Sequence, residues 1–194
     1  MTTNPSTHLF WITSRAAGTA ALVLSSLAVS YGLMMGAKLL KRTGPDRRNI
    51  HEILSLSTMA AIAVHGLALL GDKYLHPSLA DIALPFVSSY KTLATSAGIV
   101  AGWAIVLLGL SYYVRTRIGT RRWKMIHRFT LLALVLGLVH AVTEGTDSGQ
   151  LWFLALTAIA IAPAVALLLV RAGKTRLGRR QGAKAPRTRE YALQ

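Results

Sequence analysis

The sequence predicts an all-α integral membrane protein, a five-helix transmembrane bundle with its N-terminus outside and its C-terminus inside. Three observations predict it: where charge is missing, how the apolar runs are patterned, and how the basic residues alternate between loops. Of 194 residues, 53% are hydrophobic and only 15% are charged. Five stretches hold no Asp, Glu, Lys or Arg: Ala16–Ala37, Ile53–Gly71, Thr92–Val114, Phe129–Thr143 and Leu151–Val170. An uncharged apolar run of about 18 or more residues can cross a hydrocarbon core of roughly 30 Å. Four stretches meet that length. Phe129–Thr143 has 15 residues and gains a turn from Trp123–Arg128, whose cationic side chains can snorkel to the headgroups. The helices of a soluble protein would show polar faces at period 3.6, and these segments show almost none.

The net charge of +15 is informative through its distribution. Lys38, Lys41, Arg42, Arg47 and Arg48 follow the first span. Arg115, Arg117, Arg121, Arg122, Lys124 and Arg128 lie between the third and fourth, and eight cations from Arg171 to Arg189 follow the fifth. The other connections hold only Asp72, Lys73, Asp81 and Lys91, then Glu144 and Asp147. The positive-inside rule puts the basic loops in the cytoplasm. Basic charge is therefore topology and gives no sign of nucleic-acid binding. The first eight residues lack Lys and Arg and the first apolar run is long, so the start does not read as a cleavable signal. With no cysteine, disulfides, iron–sulfur clusters and thiol catalysis are excluded.

In order, residues 1–8 form an outer segment and residues 9–171 the transmembrane domain. Helix one is expected over Leu9–Leu40, ending at the turn Thr43-Gly44-Pro45-Asp46. Helix two opens at Asn49, an N-cap with Glu52 three residues on, and runs to Gly71. A short interfacial helix is expected over Ser78–Leu84 in the outer loop. Helix three covers Lys91–Val114, helix four Arg122–Val142 and helix five Gln150–Arg171, with a kink expected at Pro163. Gly145-Thr146-Asp147 is placed to pin the last outer connection. Residues 172–194 read as a basic, disordered cytoplasmic tail. No G-x-G-x-x-G follows a strand, and the tail is too short for a flavin or nicotinamide domain.

Ionisable groups inside a membrane are costly and default to a functional reading. His51 and His65 lie fourteen residues apart on helix two; His127 and His140 lie thirteen apart on helix four. The two helices run parallel to each other, so His51 shares the inner depth with His127, and His65 the outer depth with His140. The separation along each helix is roughly 20 Å. Imidazole is a common axial ligand of haem iron, so the pattern points to two stacked b-type haems, each clamped by one histidine from each helix. A strain accompanies it: fourteen residues return to within about 40° of the same helix face, whereas thirteen leave His140 about 140° from the face of His127. Either helix four is locally unwound, or the two haems meet it from different sides. Arg15, two turns into helix one, suits a haem propionate or snorkels to the surface. Gly18, Gly32, Gly36, Gly66 and Gly137 make room for porphyrin or for close helix packing. His76 with Asp72 and Asp81 is a looser candidate for a metal substrate.

The segment Arg121-Arg122-Trp123-Lys124-Met125-Ile126-His127-Arg128, followed by His140, resembles the fourth helix of the ferric-reductase-like transmembrane domain. That superfamily includes NADPH oxidases, ferric reductases and the haem-binding membrane subunit of the bacterial methionine sulfoxide reductase system. His51 and His65 match the same pattern, as does Ser14-Arg15-Ala16-Ala17-Gly18, and the likeness covers roughly Leu9 to Val170. The resemblance implies an inner haem on His51 and His127 and an outer one on His65 and His140. The departure is the missing flavin and nicotinamide module. The implied activity is one-electron transfer from a cytoplasmic donor, a separate flavin reductase or membrane quinol, to an external acceptor across a cell membrane, bacterial by composition. A quinol-linked diheme cytochrome b subunit and a haem-free proton or metal transporter using the same histidines are the alternatives.

Overall fold

The computed structural model describes residues 8–40, 45–145 and 147–184. Among these all regular structure is helical: α1 (Leu9–Gly36), α2 (Pro45–Leu69), α3 (Leu79–Ala83), α4 (Thr92–Leu110), α5 (Arg115–Ile118), α6 (Thr120–His127), α7 (Thr130–Glu144) and α8 (Leu151–Lys184). Five segments are long and apolar enough to cross a membrane: α1, α2, α4, α6 with α7, and α8. The chain is a multi-pass membrane protein. Its radial pattern agrees, since Leu93, Leu107, Ile159 and Leu169 are exposed on the outside while Ser14, Ser25, Ser26, Ser30, Thr58 and Ser96 are buried. Without a hydrophobic force between helices in lipid, contact comes from small side chains that let backbones approach.

Packing builds two antiparallel hairpins. Helix α1 packs along α2, and α4 packs along α7. Helix α8 lies against α1, where the fully buried Ser26 hydroxyl donates to the Ala160 carbonyl at 2.6 Å. The same helix continues through Pro163. At one end of α1, Arg15 pairs with Asp147 and lies over the Trp11 ring, 4.1 Å from its centre. Asp147 therefore pins the connection between α7 and α8, as the loop sequence suggested.

The boundaries depart from expectation at the start of α2 and at the end of α8. Helix α2 begins at Pro45, so Asn49 sits inside it rather than capping it; proline suits the first helical turn, where its missing N–H leaves no gap. Glu52, freed from a capping role, accepts from the Tyr113 hydroxyl at 2.5 Å. Helix α8 continues past Arg171 to Lys184, where the sequence reads as tail; residues 185–194 lie outside the described residues. The short helix in the loop before α4 appears as expected, over Leu79–Ala83, with Ser78 and Asp81 forming a reciprocal capping box.

The Ser26 contact yields a graded expectation. Ser26→Ala removes one interhelical hydrogen bond, worth about 0.6 kcal/mol in membrane proteins. Ser26→Leu forces a larger side chain into a filled contact, at a cost of about 1–3 kcal/mol. Denaturation in detergent should rank the stabilities wild type, then Ala, then Leu; equal stability of Leu and Ala would mean that α1 and α8 do not pack here.

Candidate functional site

The four helical histidines meet in two pairs. His51 and His127 have ring centres 6.1 Å apart with planes at 83°, and His65 and His140 have centres 6.1 Å apart at 73°. The side chains reach toward each other from α2 and from α6 and α7, helices whose backbones do not pack closely. Two imidazoles on opposite sides of one ion, with metal–nitrogen bonds of about 2.0–2.1 Å, would have ring centres about 6.3 Å apart. Both pairs have that spacing.

Each ring is backed by the neighbouring helix of its own hairpin. The Nδ1–H of His65 donates to the Ser14 carbonyl at 2.8 Å, while the Ser14 hydroxyl donates to the His65 carbonyl at 3.0 Å. His140 Nδ1–H donates to the Ala94 carbonyl of α4 at 2.9 Å. His127 Nδ1 lies 3.4 Å from the Leu108 carbonyl of the same helix, a long contact. A carbonyl can only accept, so these contacts put the proton on Nδ1 and leave the lone pair on Nε2. That is the tautomer of a metal-binding histidine oriented by an outer partner. His51 differs. The Ala28 carbonyl lies near its ring, but Nδ1 is a buried nitrogen with no hydrogen-bond partner.

Glycines admit three of the rings. A Cβ at Gly18 would fall 2.9 Å from the His65 ring, one at Gly32 3.2 Å from His51, and one at Gly98 2.6 Å from His140. The fourth ring, His127, is covered by the Trp123 indole, stacked at 4.9 Å and 25°. Trp123 is held in turn by its Nε1–H donating to the Ser111 hydroxyl at 3.0 Å.

Helix four is interrupted immediately after His127. Arg128 and Phe129 separate α6 from α7, and the amides of Arg128, Phe129 and Leu131 bond three residues back rather than four. Such tightening adds roughly 20° of rotation per residue. It recovers part of the offset that thirteen residues impose, and both pairs close to the same distance.

The remaining candidates fall elsewhere. Arg15 sits at the His65 end of α1, engaged by Asp147. Gly137 faces Ala101 of α4, and a Cβ at Gly66 would meet nothing within 4 Å, so neither touches a histidine. Gly36 packs near Arg171. Asp72 accepts from the Tyr74 amide and Asp81 from Ser78, and these two do not gather with His76. Two residues emerge that composition and spacing did not single out. Gly98 makes room for His140, and Glu144, one turn beyond His140, places Oε2 2.9 Å from His140 Nδ1 while Oε1 accepts from the Thr95 hydroxyl at 2.6 Å. The repeated spacing could have revealed the glycines: Ser14 and Gly18 recur as Ala28 and Gly32 fourteen residues on, and Ala94 and Gly98 copy the pattern on α4.

Gly98→Ala should destabilise the protein by about 1–3 kcal/mol, because its methyl group collides with an imidazole held from both sides. Gly66→Ala should be neutral or stabilising by up to about 1 kcal/mol, since alanine is the better helix former and the space is open. Paired melting curves check the contrast, and equal effects would mean that the His140 ring can move aside.

No protein-family model, curated protein or solved structure matches the chain.

Proposed function

We propose that this protein is a transmembrane electron conduit holding two b-type haems, one between His51 and His127 and one between His65 and His140. One observation carries the proposal: two imidazole pairs with the same 6.1 Å spacing face each other from helices that do not pack closely. A haem brings four equatorial nitrogens, so two protein ligands complete its iron. A divalent metal held by protein alone takes three or four ligands, and among the described residues no three His, Cys, Asp or Glu side chains are placed to hold one metal ion. This favours haem over a metal transporter built on the same histidines. The room the glycines leave for the rings, the Nδ1 protons fixed by carbonyls and the Nε2 lone pairs left over suit axial ligation.

Bound haem supplies one-electron redox chemistry; the protein supplies depth, axial ligands and insulation. An electron cannot cross roughly 30 Å of hydrocarbon in one step at a useful rate, and two stations roughly 20 Å apart along the helices divide the distance. His51 with His127 and His65 with His140 would hold the haems by imidazole on both sides, and the chemistry supplied would be outer-sphere electron transfer. The cations Arg47, Arg48, Arg121, Arg122, Lys124 and Arg128 flank the His51 and His127 end, and the positive-inside rule assigns that end to the cytoplasm of a cell membrane. A separate flavin reductase, or membrane quinol, donates there, and an acceptor outside takes the electron. The likeness to the ferric-reductase-like transmembrane domain supports the same reading.

The full-length chain purified in detergent should carry two b-type haems, visible as reduced-minus-oxidised bands. His65→Ala and His140→Ala should each lose one haem and keep the other, as should His51→Ala and His127→Ala for the second site. A colourless, folded protein overturns the proposal; simultaneous loss of both haems from every single variant overturns the assignment of pairs.

A further inference from the structure

The two histidine pairs are not equivalent in charge. His140 has a carboxylate beside it: Glu144 Oε2 lies 2.9 Å from Nδ1, and its side chain is only 15% exposed. The Nδ1–H is directed at the Ala94 carbonyl, so Oε2 sits alongside the bond without an aligned donor of its own. The other oxygen lies 2.6 Å from the Thr95 hydroxyl, whose single proton it shares with the Tyr90 carbonyl at 2.7 Å. The carboxylate is therefore fixed, largely buried, and short of compensating hydrogen bonds.

At the other pair nothing corresponds. Among the described residues no carboxylate pairs with His51 or His127. Glu52, next to His51 in the chain, is engaged by the Tyr113 hydroxyl instead. The cations at the His140 end do not cancel Glu144. Arg15 is paired with Asp147, and Lys91 is exposed, its ammonium donating to the Thr143 carbonyl at 2.9 Å. An exposed charge is screened by water and salt, whereas a buried one acts through a lower dielectric.

We infer that Glu144 lowers the reduction potential of the haem held by His65 and His140, making it the more reducing of the two stations. The inference rests on the haem reading above. On reduction the iron gains one electron from the donor, no bond forms or breaks, and the site loses one positive charge. A fixed carboxylate favours the state with more positive charge, which is the oxidised one. Glu144 acts through its charge beside the His140 ring and does not touch the iron. A low potential at the electron's exit suits delivery to an acceptor that is itself hard to reduce.

Potentiometric titration of the full-length protein, followed by haem absorbance, tests this. Glu144→Gln keeps the shape of the side chain and removes its charge. It should raise one of the two midpoints by about 59 mV, a tenfold change in the ferric-to-ferrous ratio for one electron, and leave the other in place. Glu144→Asp, which retains the charge, should stay closer to the wild type. A second comparison does not depend on the folding of the Gln variant. The haem retained by His51→Ala should have a lower potential than the haem retained by His65→Ala. Unchanged midpoints in a Glu144→Gln protein with both haems, or the reverse order in the single-haem variants, overturn the inference while leaving the haem reading intact. A wild-type chain that binds no haem overturns both.

Discussion

The structure depends on how four imidazoles can be buried among hydrocarbon-facing helices. Each ring has two nitrogens, and an unpaired polar group in a low-dielectric interior costs several kcal/mol. Helices α1 and α4 answer for one nitrogen of three of the rings, through carbonyls of Ser14, Ala94 and, less closely, Leu108. A helical carbonyl already accepts from the amide four residues on, but it has a second lone pair to offer. The hairpins are thus more than scaffolding. Helix α1 holds His65 of α2, α4 holds the histidines of α6 and α7, and the rings of each pair meet across the two hairpins.

This arrangement explains which parts were legible in the sequence. The five spans and the histidine pairing follow from uncharged run length and from ligand depth, both of which are one-dimensional properties. Gly18 and Gly32 are placed on α1 at the same fourteen-residue interval as His51 and His65 on α2, so two antiparallel helices in register bring each glycine to a ring. That register is a relation between helices, which composition cannot supply; hence Gly98 does not stand out by composition, and of the two roles open to Gly137 the structure shows close packing, against Ala101 of α4. Helix α2 starts earlier than its capping pattern implies, for a local reason. Asn49 and Glu52 satisfy the capping pattern, but Pro45 can begin a helix four residues earlier.

The thirteen-residue interval is the one place where sequence arithmetic and structure conflict and the structure has an answer. A straight helix would carry His140 away from the face of His127. The chain instead tightens at Arg128 and Phe129, with the Thr130 hydroxyl donating to the His127 carbonyl at 2.8 Å. No glycine or proline marks the spot. The irregularity is sustained by its surroundings: Trp123 stacks on one face of His127, and α4 holds His140 from behind. Local backbone departures persist where tertiary contacts over-determine them, and sequence propensity alone gives no notice of such a site.

The same contacts make the two depths unequal. At the Ser14 end both rings have short carbonyl bonds and one has a carboxylate. At the other end one bond is long and His51 Nδ1 has no partner. The positions of the backing carbonyls on α1 and α4 repeat at fourteen residues, so spacing does not cause the inequality. Its origin is at the helix ends: α4 begins and α7 finishes at the same level, so Lys91, Thr95 and Glu144 can close around His140, whereas at the other level Trp123 stacks on His127 within α6 and donates to Ser111 at the end of α4. A near-symmetric pair of ligand sites thus acquires two electrostatic environments from the way its helices terminate. Under the proposed function, that difference would separate the two stations in energy while their ligands remain alike.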